Sequence, residues 1–176
     1  RKMAHRVIES VLKTMSSERK SKLKKSDTRN IGLVTPPMSS SKEVSNYQTE
    51  VGNILKEKGV VDSYFAWYLV STYGKQTDII LNKLSYFANE DPHEKLIRAE
   101  LWYTVHHEMA NGLADFFVRR TGSLYFNVNT VKAYSGIVLH DFVDYLDWSP
   151  SRIHSEKEKL AQLVTDATTY YQSEFE

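Results

Sequence analysis

Residues 98–121, RAELWYTVHHEMANGLADFFVRRT, constrain the fold more than any other stretch of this chain. Leu101 and Val105, then Leu113, Phe116 and Phe117, recur at three- and four-residue steps, the period of a helix with one apolar face and not of a strand. Such faces must be buried against other helices. Asn111 is placed to cap a second helix by accepting from orphan backbone N–H groups, and Asp115 falls in its first turn, where the helix dipole favours an acid. Arg119 and Arg120 close the segment at the end where cations are favoured, and Gly122 follows as a left-handed stop. Glu100, Glu108 and Asp115 are the acids within reach of these two arginines. A structural ion-pair network of Glu100, Glu108, Asp115, Arg119 and Arg120 is therefore expected, in preference to an anion site, because the dipole at a helix C-terminus repels anions.

The same period runs along the rest of the chain. In residues 2–15 the apolar side chains Ala4, Val7, Ile8, Val11, Leu12 and Met15 share one face, which needs a partner surface. Residues 16–42 are rich in Ser and Lys, contain Pro36–Pro37 as adjacent prolines, and read as a flexible linker. A helix over 43–58 stops at Gly59. Residues 63–73, SYFAWYLVSTY, are apolar almost all round and predict a buried helix, with Asp62 as cap and Gly74 as stop. Thr77 is the expected cap of a short helix through Leu84 and Phe87. Pro92 at a first helical position starts a helix to about His107, with a break near Ala110 and Asn111. Asn127 or Asn129 caps a longer helix that stops at Trp148, Ser149 and Pro150. Leu160, Leu163, Val164, Ala167 and Tyr171 carry the last one. No segment of alternating polarity competes, so the class is all-α, with 43–176 as one compact multi-helix domain.

Charge divides the chain. Residues 1–42 carry 11 Lys and Arg against 3 acids, a balance of +8, and the rest carry −7, leaving +1 overall. A basic arm on an acidic body suits a stand-alone interaction module that touches nucleic acid or anionic lipid. The arm lacks interleaved aromatics, so no nucleic acid is expected and a solvated linker is the preferred reading. The absence of cysteine excludes disulfides and thiol catalysis and is compatible with a reducing cytoplasm. The first residue is arginine and a helix begins at once, which leads us to expect a piece of something larger.

Chemical motifs are scarce. His106 and His107 are adjacent, so on a helix they point about 100° apart and do not share one ion. His140 and Asp144 are one turn apart but lack a third ligand in sequence. Asp141, Asp144 and Asp147, three residues apart, read as an exposed face. Neither a GxSxG elbow nor a phosphate loop nor a GxGxxG turn is present. No catalytic, cofactor-binding or metal-binding residue is assigned, and a small helical enzyme is the least favoured reading.

The run Glu100, Tyr103, Glu108, Met109, Ala110, Leu113, Asp115, Arg119, Arg120 and Thr121 resembles the C-terminal domain of FAD-dependent glycerol-3-phosphate oxidases and dehydrogenases. The opening Arg1, Lys2, Met3 and Ala4 resemble the end of that family's flavin domain. The resemblance implies a parent that oxidises sn-glycerol 3-phosphate to dihydroxyacetone phosphate. Hydride would pass to FAD and electrons onward to oxygen, giving hydrogen peroxide, or to a quinone. The long linker leans toward the oxidase. It further implies that residues 1–15 are the last helix of the FAD-binding domain, that this domain is the main partner, and that FAD and substrate are held outside this chain. Homo-oligomers are an open expectation. A cytoplasmic place, either free or against the inner face of the membrane, is also expected.

Overall fold

The computed structural model describes residues 2–24, 37–87 and 91–169. The chain divides into two compact units, Arg1–Thr35 and Pro36–Glu176. In the first, α1 (Lys2–Thr14) is followed by a five-residue helix, α2 (Ser17–Ser21). This helical turn lies inside the stretch read as linker, where Glu18 and Lys22 form an exposed i, i+4 pair. None of α1 is buried; Met3, Val7 and Ile8 expose more than half of their surface and Val11 about half. Arg1 and residues 25–36 lie outside the described residues, as does Tyr171.

The second unit is built from α3 (Ser41–Glu57), α4 (Tyr64–Tyr73), α5 (Thr77–Leu84), α6 (Pro92–Glu108), α7 (Ser123–Phe126), α8 (Val128–Leu146) and α9 (Pro150–Thr168). No strand occurs among the described residues, so the all-α reading stands. Helix ends follow local chemistry. Asp91 accepts from the His93 and Glu94 N–H groups ahead of Pro92, Asn127 accepts from Thr130, and Ser149 accepts from Arg152 ahead of Pro150. Gly59 turns the chain out of α3 at φ +90°, a conformation that side-chain-bearing residues avoid.

Two apolar clusters form the core. One joins α3, α4 and α5 to Leu96, Ala99 and Tyr103 of α6; the other joins Leu101 of α6 to Phe116, Phe117, Phe142 and Leu160. Helix α6 thus faces both clusters, and burial of its opposite sides makes it the axis of the domain.

Three local expectations are corrected. Helix α4 is buried on one side only: Leu69 and Val70 are inside, but Tyr64 and Trp67 are about half exposed. Tyr and Trp tolerate this because each has a polar group that can face water. Thr77 does not cap α5; it is fully buried and its hydroxyl donates to the Leu69 carbonyl at 3.0 Å, tying α5 back to α4. Asn111 does not cap with its side chain. Instead its own N–H donates to Asp115 Oδ2, and the Leu113 N–H donates at 3.0 Å to Glu156 Oε2, supplied by α9. That buried carboxylate needs room: a Cβ on Gly112 would stand 2.7 Å from Glu156 Oε2.

Candidate functional site

The segment after α6 is wound more loosely than an α-helix. Met109 takes the left-handed conformation at φ 57° and ends α6, with the Ala110 N–H closing back on Thr104 O at 3.0 Å. After Leu113 and Ala114 the chain adopts a π-helical turn, Asp115–Arg120, in which the Thr121 N–H reaches Phe116 O, five residues back, at 2.9 Å. The wider turn lets Phe116 and Phe117 both point inward, their rings edge-to-face at 5.1 Å. Single π turns inside helical segments are frequent at functional sites. No sequence signal distinguished this turn from an α-helix, since its apolar spacing serves both.

Beside this turn, at the seam between the two apolar clusters, lies a cavity of about 300 Å³. Its walls come from α4, α6, the π turn and α8. Tyr64, Phe65 and Tyr68 form one side, Phe116 and Phe117 another, and Thr130 and Tyr134 a third. Glu100 also lines it, although this residue is only 4% exposed. Both the Tyr68 and Tyr73 hydroxyls donate to Glu100 Oε1, at 2.5 and 2.6 Å. Burial pushes the Glu100 carboxyl up to about 7, with Glu108 adding to the rise and the two tyrosine hydroxyls opposing it. Burial and the neighbouring carboxylate in turn hold both tyrosines well above their usual range, so they remain protonated donors.

Glu100 therefore stands apart from the arginines with which it was expected to pair. The other four residues meet in two pairs. Asp115 contacts Arg119 one turn on, and Arg120 lies 3.5 Å from the Glu108 carboxylate while donating to the Glu108 carbonyl at 2.5 Å. Sequence spacing brought out these neighbours; it had no means of finding the tyrosine partners of Glu100, which lie 27 and 32 residues away.

Asp141 is a correction. It is 1% exposed, and Arg98 of α6 grips it through Nε to Oδ2 at 2.8 Å and a terminal nitrogen to Oδ1 at 2.7 Å. Three-residue steps fall about 60° short of a full turn, so Asp141, Asp144 and Asp147 spread round α8 and do not share one face. His140 and Asp144 are exposed and 3.2 Å apart. Asp141 adds a third group close by, yet both its oxygens already face a guanidinium, which opposes a cation there. His106 bonds the Trp102 carbonyl at 2.8 Å and stacks on its ring, and His107 stacks on Tyr103 and meets the Trp102 ring edge-on, so both imidazoles are engaged with aromatic rings.

Residues 38–153 match the family described as the C-terminal domain of alpha-glycerophosphate oxidase. The chain belongs to this family. The matched span contains the whole run from Glu100 to Thr121 on which the resemblance rested. Aerobic glycerol-3-phosphate dehydrogenases of Staphylococcus aureus, strains USA300 and MRSA252, are 28% identical over 170 residues, covering 95% of this chain and 30% of theirs. The crystal structure of the glycerol-3-phosphate dehydrogenase of Bacillus halodurans, complexed with FAD, matches with a TM-score of 0.62 at 25% identity. That match covers 75% of this chain and 28% of the other. The chain thus spans under a third of the length of these relatives.

The residues described here do not suit FAD. A dinucleotide fold offers strand-to-helix turns whose N–H groups meet the pyrophosphate, whereas the described residues hold helices without strands. Among the described residues the cavity at the seam is lined by Glu100 and Asp62 and by neither lysine nor arginine, a surface that repels phosphate.

Proposed function

We propose that this chain is the C-terminal helical domain of a flavoenzyme that oxidises sn-glycerol 3-phosphate to dihydroxyacetone phosphate, with FAD and the reacting substrate held by another part of the same polypeptide. The observation that carries this reading is the family match over residues 38–153, supported by relatives whose names give that substrate. Residues 1–15 are read as the last helix of the flavin domain, 16–42 as the connection, and 43–176 as the C-terminal domain. The uncovered apolar stripe of α1 supports a docking role against the flavin domain. Oxygen is the favoured electron acceptor because of the long basic insert. No helix of the described residues is long and apolar enough to cross a membrane.

The complete polypeptide carrying this chain is expected to be yellow and to bleach when glycerol 3-phosphate is added without air. Rapid return of colour in air, with hydrogen peroxide formed, marks oxygen as acceptor; slow return that a quinone accelerates marks a dehydrogenase. A flavin that glycerol 3-phosphate leaves oxidised, or a polypeptide that stays colourless after FAD is supplied, overturns the assignment.

For the domain itself the ion pairs beside the π turn are assigned a structural role. Arg119 is 69% exposed, so Arg119→Ala should cost well under about 1 kcal/mol. Arg120 also bonds a helix-end carbonyl, and Arg120→Ala should cost about 1 kcal/mol. Thermal melting of the two variants gives the ranking, and equal, unchanged melting in both would sink the network.

A further inference from the structure

The cavity at the seam of the two clusters is not absorbed by the proposed activity. Glu100 is more than nine-tenths buried, and while two hydroxyls saturate its Oε1, no group among the described residues donates to Oε2. Oε2 is not one of the buried side-chain atoms left without a partner, so it is open to the cavity, where water or a ligand N–H can donate to it. A ligand that replaces this water must fit what surrounds it. Among the described residues neither lysine nor arginine lines the cavity, and Asp62 adds a second carboxylate near its rim, so an anion is repelled. Among these residues the only basic side chain of the lining is His93, exposed and packed on Phe65 with ring centroids 5.2 Å apart.

The walls add a second requirement. Tyr64 and Tyr68 stack at 6.0 Å on one side, Phe65 and Tyr134 line the cavity with partly exposed rings, and Phe116 and Phe117 of the π turn close it as fully buried side chains. Aromatic faces around a desolvated carboxylate form the environment that attracts an organic cation, through the ring quadrupoles and through charge-assisted hydrogen bonding. The volume of about 300 Å³ admits a molecule of about ten non-hydrogen atoms, at about 30 Å³ for each water-sized group.

We propose that this cavity is a binding site for a small organic ammonium ion, whose N–H groups donate to Glu100 Oε2 while its carbon body packs against Tyr64, Phe65, Tyr68 and Tyr134. A neutral polyol could satisfy Oε2 but would gain little from the aromatic walls or from the negative potential. The test of this site does not depend on flavin chemistry.

The experiment is calorimetric titration of the complete polypeptide at pH 8, where Glu100 is ionised, with benzylammonium chloride as probe and benzyl alcohol and benzoate as its uncharged and anionic counterparts. Saturable one-site binding of benzylammonium is expected, at least tenfold tighter than benzyl alcohol, with no binding of benzoate. Glu100→Gln should weaken the ammonium ion at least tenfold. Thr130→Phe, which adds bulk to the cavity lining from α8 and leaves the Glu100 carboxyl in the sequence, should abolish binding and supplies the answer should the Gln variant fail to fold. Equal affinity for benzyl alcohol, unaltered binding in Thr130→Phe, or no saturable heat overturns the proposal.

Discussion

Arg98→Ala is expected to destabilise the domain by about 3–5 kcal/mol, because it strips a buried carboxylate of its bidentate partner. Asp141 is 1% exposed, and the Arg98 side chain 17%, so neither charge can recover much solvation once the other is gone. The guanidinium also lies 4.6 Å from the Phe87 ring centroid and 3.9 Å from Glu94, and its removal takes packing between α6 and the end of α5 along with the charge. For a unit of this size the loss corresponds to roughly 10–20 °C in melting temperature. Calorimetric melting checks it. The double variant Arg98→Met, Asp141→Leu should recover most of the loss, since an apolar pair of similar volume avoids burying an unpaired charge. A single Arg98→Ala variant that melts within about 2 °C of the parent would refute the pair's importance.

That ion pair marks the boundary of what the sequence could disclose. Features that depend on a few neighbouring residues were legible: Pro92 at the start of α6, Asn127 ahead of α8, and the left-handed glycines at 59 and 122. The chemistry of a cap or a stop lies within four residues and is legible where no distant group competes for it; at Thr77 and Asn111 the Leu69 carbonyl and the Asp115 and Glu156 carboxylates took part instead. The family resemblance also lay in one short run, from Glu100 to Thr121, now within the matched span. By contrast, Asp141 looked solvent-facing when judged by its acidic companions, although Val138, Leu139 and Phe142 beside it are buried. That apolar context was the available signal, and it outweighed the spacing of three acids.

The candidate cavity was less legible than the fold. Its floor and walls come from residues 64–68, 93–100, 116–117 and 130–134, which periodicity places on separate helices without saying how those helices cross. The π turn compounds the difficulty, because Phe116 and Phe117 read equally well as part of an α-helix. Glu100 was visible as an acid with arginines in prospect, but its real partners are tyrosine hydroxyls delivered by α4. Only tertiary packing decides between an exposed ion pair and a buried acceptor.

That burial has a consequence for pH. In the unfolded chain Glu100 should titrate near the ordinary value of 4.5, whereas in the fold it titrates at about 7. Folding therefore favours the protonated form. The stabilisation is present in full below about 4.5 and is lost as pH rises through about 7, amounting to about 3 kcal/mol at roughly 1.4 kcal/mol per pH unit. In urea unfolding at pH 5 and pH 8, the parent should lose about that much more stability than Glu100→Gln, whose neutral amide does not titrate. Parallel losses in the two proteins would contradict the buried carboxyl. At pH 8 the parent holds an ionised Glu100 with two hydroxyl donors and, among the described residues, no lysine or arginine in the cavity lining. A ligand that supplies the cation binds only the folded form and offsets the loss by mass action. The pH-dependent instability and the proposed ammonium site therefore have one cause, and benzylammonium should stabilise the parent more at pH 8 than at pH 5.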